Sequence, residues 1–283
     1  MNIMNKNIVI FTGQTASGKT GLAIEYALKN NGDIICMDSM QIYKYMPMLS
    51  ACPTDEEKSQ VPHHLFEFVE PTENFSVSLY SKLAREKIEE VLAKGKLPIL
   101  VGGTGLYMNA ILYMNLEEVP HDKHIREELE KEETKELYDF LISVDSKTNI
   151  HANDRKRIIR ALEIYKITGK TKTELDKANK KKSEYSATIY AKKFEREELY
   201  KRINVRTKEI LDNGAIDEVK RLISVGVNKT NTAGNAIGFS EIKEYIEGRL
   251  SYGECLEKFR QVTRNYAKRQ ETWFKANKEI IWV

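Results

Sequence analysis

Short apolar runs alternate with stretches of helical length along the first hundred residues. The runs fall at 8–11 (Ile-Val-Ile-Phe), 34–37 and 99–101, each bounded by polar residues. Runs this short suit buried strands. Between them, residues 21–29 carry apolar positions at helical spacing, with Leu22, Ile24, Ala27 and Leu28 as the expected core face, and 77–92 repeats the pattern. The alternation predicts a parallel sheet with helices on its faces. Residues 43–72, with Pro47, Pro53, Pro62 and Pro71, read as a long surface segment rather than regular structure. Within it, His63 and His64 have no further metal ligands at suitable spacing, so a hydrogen-bonding role is expected of them.

The pattern changes after Met114. From 122 to 182 the chain is charged and helical, without strand-like runs. Ile125, Leu129 and Glu132 start one amphipathic pattern, Leu137, Phe140 and Leu141 a second, and Ile158, Ala161, Leu162 and Tyr165 a third that opens at Asn153 or Asp154. Lys180-Lys181-Lys182 reads as a solvated return segment. A strand pattern resumes at 187–191. Helices are expected at 197–211 and 215–225, with Gly214 and Gly226 as stops, then a long closing helix at 252–276 and a strand at 280–283. In that helix Phe259, Tyr266 and Trp273 recur every seven residues and are expected to form a core seam. The fold class is therefore α/β, a parallel-sheet core of residues 1–114 and 186–283 around an all-helical insertion, 115–185.

One stretch turns this architecture towards chemistry. Gly13-Gln14-Thr15-Ala16-Ser17-Gly18-Lys19-Thr20 follows the first strand, opens the first helix and fits G-x-x-x-x-G-K-[ST], the P-loop pattern. Its glycines let backbone N–H groups close around phosphate oxygens, the helix N-terminus adds partial positive charge, Lys19 a full one, and the Thr20 hydroxyl is suited to a Mg²⁺. The alternative is a glycine-containing turn of the same spelling. The pattern calls for a di- or triphosphate without saying which, or whether a phosphoryl group moves. Ligands of open α/β sheets bind beyond the carboxyl ends of the strands, so Lys19, Asp38 and Thr104 are expected in one crevice.

Composition adds less. Across 283 residues the net charge is +3, so any polyanionic partner must be held by local clusters. Such clusters occur at Arg155, Lys156, Arg157 and Arg160, at Arg196, Arg202 and Arg206, and at Arg260, Arg264 and Lys268. Each also suits a solvated, salt-bridged face. Their clustering near a phosphate crevice favours a nucleic-acid footprint. No apolar stretch is long enough to span a membrane, and residues 1–7 lack the pattern of a secretion signal. Three scattered cysteines suit reduced thiols in a cytoplasm better than a disulfide framework or a zinc site.

The motifs together resemble the bacterial tRNA dimethylallyltransferase (tRNA isopentenyltransferase) family. The P-loop is similar to its G-P-T-A-S-G-K-T. Asp38-Ser39-Met40-Gln41-Ile42-Tyr43, Pro62-His63-His64-Leu65, the 101–107 block Val-Gly-Gly-Thr-Gly-Leu-Tyr, Asn153-Asp154 with Arg157 and Arg160-Ala161-Leu162-Glu163, and the 263–273 block from Thr263-Arg264 to Thr272-Trp273 follow in family order. The resemblance implies transfer of a dimethylallyl group from dimethylallyl diphosphate to the exocyclic amine of the adenine just 3′ of the anticodon, in tRNAs reading codons that begin with U. It implies a P-loop that holds a diphosphate leaving group rather than ATP, with Mg²⁺ as cofactor on Thr20, and a monomer acting on the anticodon stem-loop. It implies Arg206 on the diphosphate, Asp38 as proton acceptor, and Thr104 orienting the amine or the bridging oxygen. It also implies RNA contacts from Asp38, Ser39, Met40, Gln41, Thr104, Arg126, Lys156, Arg157, Ile158, Ile159 and Arg160. Asp38 as a Mg²⁺ ligand or a helix cap remains an alternative. Departures from the family pattern are Gln14 for proline, Cys52 for lysine, Asn235 and Ser240 for two cations, and Asn265 for glutamine. A nucleotide kinase, a prenyltransferase of free AMP and a non-enzymatic RNA-binding protein are the rival readings.

Overall fold

The computed structural model describes residues 6–116, 118–180 and 183–283. It divides into two compact units, one of 1–112 with 183–283 and one of 113–182. The first unit begins with β1 (Asn7–Thr12), α1 (Lys19–Asn30), β2 (Gly32–Cys36), α2 (Pro47–Ser50), α3 (Asp55–Gln60), β3 (His63–His64), α4 (Val77–Ala93), β4 (Leu97–Val101) and α5 (Gly105–Leu112). The second unit holds α6 (Lys123–Leu129), α7 (Thr134–Val144), α8 (Arg155–Thr168) and α9 (Lys172–Ala178). The chain then returns to the first with β5 (Ser186–Ala191), α10 (Arg196–Ile210), α11 (Ile216–Ser224), α12 (Phe239–Ile246), α13 (Tyr252–Lys275) and β6 (Ile280–Trp282).

Among the described residues the strands form one parallel sheet in the order β3-β2-β4-β1-β5-β6. β1 is central, in register with Ile99–Val101 of β4 on one side and with all of β5 on the other. Its apolar residues are buried on both faces, as parallel strands require. Ala23, Ile24 and Ala27 turn α1 onto the sheet beside Val9, Phe11 and Ile34. Leu22 packs against this cluster partly buried, as expected, whereas Leu28 is exposed.

The 43–72 segment differs most from expectation. It is not a surface loop. Tyr43 and Met46 are fully buried, Leu49, Val61 and Val69 are core, and β3 extends the sheet by pairing with β2. Prolines break regular hydrogen bonding without forbidding burial. Glu218, on α11 and itself buried, accepts the backbone N–H groups of Met48 (2.9 Å) and Leu49 (2.8 Å) and so holds α2 from outside. The histidines do hydrogen-bond. His64 Nε2 lies 3.0 Å from buried Asp33 and His63 Nδ1 2.8 Å from the Val61 carbonyl.

The helical unit is cored by Leu129, Leu137, Leu141, Ile158, Ile159, Ala161 and Leu162. Asp154 caps α8, its side chain accepting the Arg157 N–H. Glu132 lies beyond the end of α6, Phe140 is 41% exposed, and α9, opened by a capping box from Thr171 and Glu174, is a helix the apolar spacing did not predict. Lys181 and Lys182 of the expected return segment lie outside the described residues. Gly214 and Gly226 stop their helices as expected: Gly214, at φ 115°, makes the non-helical kink between α10 and α11, and Gly226, at φ 93°, follows the end of α11. Among the described residues no helix is long and apolar enough to cross a membrane.

Candidate active site

The sheet brings three loops together at the carboxyl ends of β1, β2 and β4. Met37 N donates to the Val101 carbonyl (2.7 Å) and Gly102 N to the Phe11 carbonyl (3.1 Å), so the strands stay laced as they end. Gly102 is required by crowding: a Cβ there would lie 2.0 Å from the Met37 oxygen. After β1 the chain takes Gly13 at φ 121°, Ala16 at 61° and Gly18 at 75° before entering α1. Left-handed residues of this kind curl successive N–H groups into an anion nest. Ser17 is buried there with its hydroxyl unpartnered.

Asp38 follows β2. Its Oδ1 accepts Met40 N–H (2.9 Å) and its Oδ2 faces Gly103 N–H (3.4 Å). No helix starts beside it, so its cap is on a turn through Ser39, Met40 and Gln41, and the helix-cap reading falls. Thr104 Oγ1 accepts Ser39 N–H (3.0 Å) and lies 3.3 Å from Ser39 Oγ, which ties the β4 loop to the β2 loop. Gln41 donates to the Ser50 and Ala51 carbonyls and anchors α2.

Two cations face this carboxylate. Burial takes the Lys19 ammonium down to about 8, opposed by Asp38 and reinforced by Arg206. Burial also lowers Arg206, again opposed by Asp38. Lys19 donates only to the Gln14 carbonyl (3.3 Å), and Arg206 makes no ion pair among the described residues. Arg202 holds the P-loop from α10, its Nε donating to the Ala16 carbonyl (2.8 Å). Two partly desolvated cations against one carboxylate leave surplus positive charge at the nest, the condition for holding a polyphosphate.

Helix α13 closes the site, a role its sequence pattern did not indicate. Gln270, 5% exposed, accepts Thr15 N–H (2.7 Å) and donates to the Gly103 carbonyl (2.9 Å). Gln14 donates to the Ala267 carbonyl (3.1 Å). The Tyr266 hydroxyl is pushed well up by burial and by the nearby Asp38 charge. The buried face of α13 is Cys255, Phe259, Thr263, Ala267, Gln270 and Phe274, stepping by three and four. The expected seam of Phe259, Tyr266 and Trp273 holds fully only at Phe259: Tyr266 is partly buried against the site, and Trp273 is 44% exposed.

The remaining expected RNA contacts sit in the helical unit. Ile158 and Ile159 are core, so their side chains present nothing to a ligand. Arg160 is built into the fold: it bonds the fully buried Glu163 (2.7 Å) and the Val119 carbonyl (2.6 Å), and it lies 3.1 Å from His121. Arg126 touches the same His121 (3.1 Å) and pairs with Glu130. Lys156 and Arg157 are exposed, Arg157 with a loose contact to Asp154. The departures from the family motifs are neutral here. Burial takes the Cys52 thiol up to about 12, and Asn235 bonds the Lys229 and Asn231 carbonyls.

The model of the IPP transferase family matches residues 41–277. This chain belongs to the IPP transferase family. A relative named tRNA dimethylallyltransferase from Thermoanaerobacter sp. (strain X514) is 44% identical, over 97% of this chain and 90% of that protein. Among solved structures, a full-length tRNA isopentenylpyrophosphate transferase from Bacillus halodurans is 38% identical with TM-score 0.74, covering 98% of this chain and 89% of its own. A eukaryotic dimethylallyltransferase described as acting on tRNA is 29% identical with TM-score 0.85, covering 98% and 73%. Membership in the IPP transferase family and the α/β fold of these neighbours thus agree with the reading of the motifs.

Proposed function

We propose that this chain transfers the dimethylallyl group of dimethylallyl diphosphate to the exocyclic amine of the adenine 3′ of the anticodon, in tRNAs reading codons that begin with U, in the cytoplasm. The observation that carries the proposal is the set of two desolvated cations, Lys19 and Arg206, facing one carboxylate, Asp38, at a P-loop. An allylic diphosphate departs more readily as its oxygens are neutralised, and these cations with the nest amides do that. The C–O bond to diphosphate breaks and a C–N bond to the adenine amine forms. The amine proton goes to Asp38, which is held towards Gly103 and the Thr104 loop. Thr104 then orients the acceptor. The base must leave its stack to reach them.

Mg²⁺ fits this donor set. Thr20 offers a hydroxyl in the first turn of α1, suited to an ion carried mainly by the substrate phosphates and water. When bound it supplies further neutralisation of the leaving group. Lys156, Arg157 and Arg126 of the helical unit are the proposed contacts to RNA phosphates.

The test is labelled dimethylallyl diphosphate with Mg²⁺ and unmodified tRNA, AMP or ATP in separate reactions. Label is expected in tRNA alone, without ATP turnover. Label in AMP, or ATP hydrolysis without prenylated RNA, would replace the proposal by one of its rivals. Asp38→Asn is expected to slow single-turnover transfer about 10²–10⁴-fold with both substrates still bound; a folded variant within a few-fold of wild type removes Asp38 as base.

A further inference from the structure

Tyr266, Gln270 and Trp273 lie along one stripe of α13, at i, i+4 and i+7. The first feels Asp38 and the second bridges the P-loop to Gly103. The third has had no role so far. Its indole lies directly on Gly105, where a Cβ would fall 2.1 Å from Nε1 and 2.3 Å from Cδ1. Gly105 immediately follows Thr104 and opens α5. Trp273 is nevertheless 44% exposed, and neighbouring Leu106 is 45% exposed, while Phe274 next to it supplies the buried anchor of that turn. The Trp273 indole is thus pressed against a glycine through the Nε1 side of its pyrrole ring, remains partly open to solvent, and stands beside the acceptor-handling loop.

We propose that Trp273 is a stacking platform for a nucleobase of the RNA substrate. The inference rests on the reading that RNA is the acceptor. A partly open indole carries no charge to set against a diphosphate, and its one donor, Nε1, is turned against Gly105, whereas every base presents a π-face that it can stack on. Once the acceptor adenine leaves its stack, the loop loses a stacking contact, and Trp273 supplies a replacement next to Thr104. Its cover of Gly105 would be served equally by any apolar side chain, so an aromatic plane is the property to test.

The chain has two tryptophans, so Trp282→Phe leaves Trp273 as the one fluorescent reporter. In that background, an unmodified anticodon stem-loop RNA is expected to quench the emission on binding, and pyrophosphate is not. Trp273→Leu, which keeps apolar cover over Gly105, is expected to raise KM for tRNA about tenfold, with kcat and pyrophosphate affinity within about twofold. Trp273→Phe is expected to stay within about threefold of wild type. RNA that binds without quenching, or a Leu variant with unchanged KM for tRNA, overturns the platform while leaving the prenyl-transfer reading intact. A Leu variant that loses donor affinity instead assigns Trp273 to the prenyl pocket and also overturns it. RNA that fails to bind the wild type at all, by filter retention, overturns both readings, and the transfer assay above tells the two failures apart.

Discussion

Lys19 is held as an ammonium in a place that disfavours one. Its pKa in the fold is about 8 against 10.5 when free. The charged form therefore opposes folding. That penalty is complete below pH 8 and lifts between about 8 and 10.5, where the unfolded chain still binds the proton. Lys19→Met is expected to stabilise the ligand-free protein at pH 7 by about 1–3 kcal/mol, a gain that fades as pH climbs through this window. The same change should abolish pyrophosphate binding. Urea unfolding at pH 7 and pH 10 with calorimetric titration measures both, and a variant less stable than wild type at pH 7 contradicts the account. Strain of this kind at a binding residue is relieved by the ligand. At this scale the sequence was legible where chemistry is local. The eight-residue P-loop is contiguous, so the left-handed turn that it forms could be read from its letters. Asp38 and Thr104 needed only the rule that strand ends converge. Gln270 and Tyr266 escaped because a glutamine or tyrosine in a helix does not disclose which way it points. Arg206 was one of a basic cluster, and its place on the diphosphate was indicated by resemblance alone.

Among elements, the clearest lesson is the 43–72 segment. Proline content announces a break in regular structure, not exposure: this stretch is buried against apolar residues of α11, α12 and α13, and a carboxylate on α11, 169 and 170 residues further on, takes its free N–H groups. Both Glu218 oxygens accept backbone N–H groups of α2. Glu218→Gln turns one of those acceptors into a donor facing a donor, at a cost of about 1–3 kcal/mol. The loss should appear in equilibrium unfolding, with faster amide exchange at Met48 and Leu49. Unchanged exchange there would mean that the segment is held by its apolar core alone. Gln41 ties this same segment to the turn after Asp38, so a modest fall in transfer rate is expected alongside. In α13 the seven-residue repeat misled for a related reason. The buried stripe of this helix is set by what it packs against, and its stripe bearing Tyr266 and Trp273 lines the site instead.

For the whole molecule, the division into two units separates candidate RNA contacts from framework charges within the helical unit. Lys156 and Arg157 are exposed, whereas Arg160 holds buried Glu163, whose carboxyl stays low because Arg160, the Asp122 N–H and His121 outweigh its burial. Lys156→Ala with Arg157→Ala is expected to leave the unfolding midpoint within experimental scatter. It should weaken tRNA binding and flatten its logarithmic salt dependence by up to about two. Arg160→Ala is expected instead to destabilise by on the order of 3 kcal/mol, because it strands a buried charge. Filter binding across a salt series, beside thermal unfolding of each variant, distinguishes the two classes. An unchanged slope in the double variant would leave those residues as solvated charges only.

The order of the chain across these units has a consequence for its birth on a ribosome. β1 lies in the middle of the sheet, yet one of its two partners, β5, is encoded only after the whole helical unit. At about 5–20 residues per second, the growing chain carries a central strand with an apolar middle, Ile8 to Phe11, and one bare edge for several seconds. Bare edges of this kind recruit other chains. The half-made protein also lacks Arg206 and Gln270, so it has a P-loop without its clamp and cannot be rescued by its own ligand. The helical unit, meanwhile, is complete and local in its contacts, and is free to fold in the interval. Nascent chains arrested between residues 112 and 186 are therefore the form of this protein most dependent on chaperones.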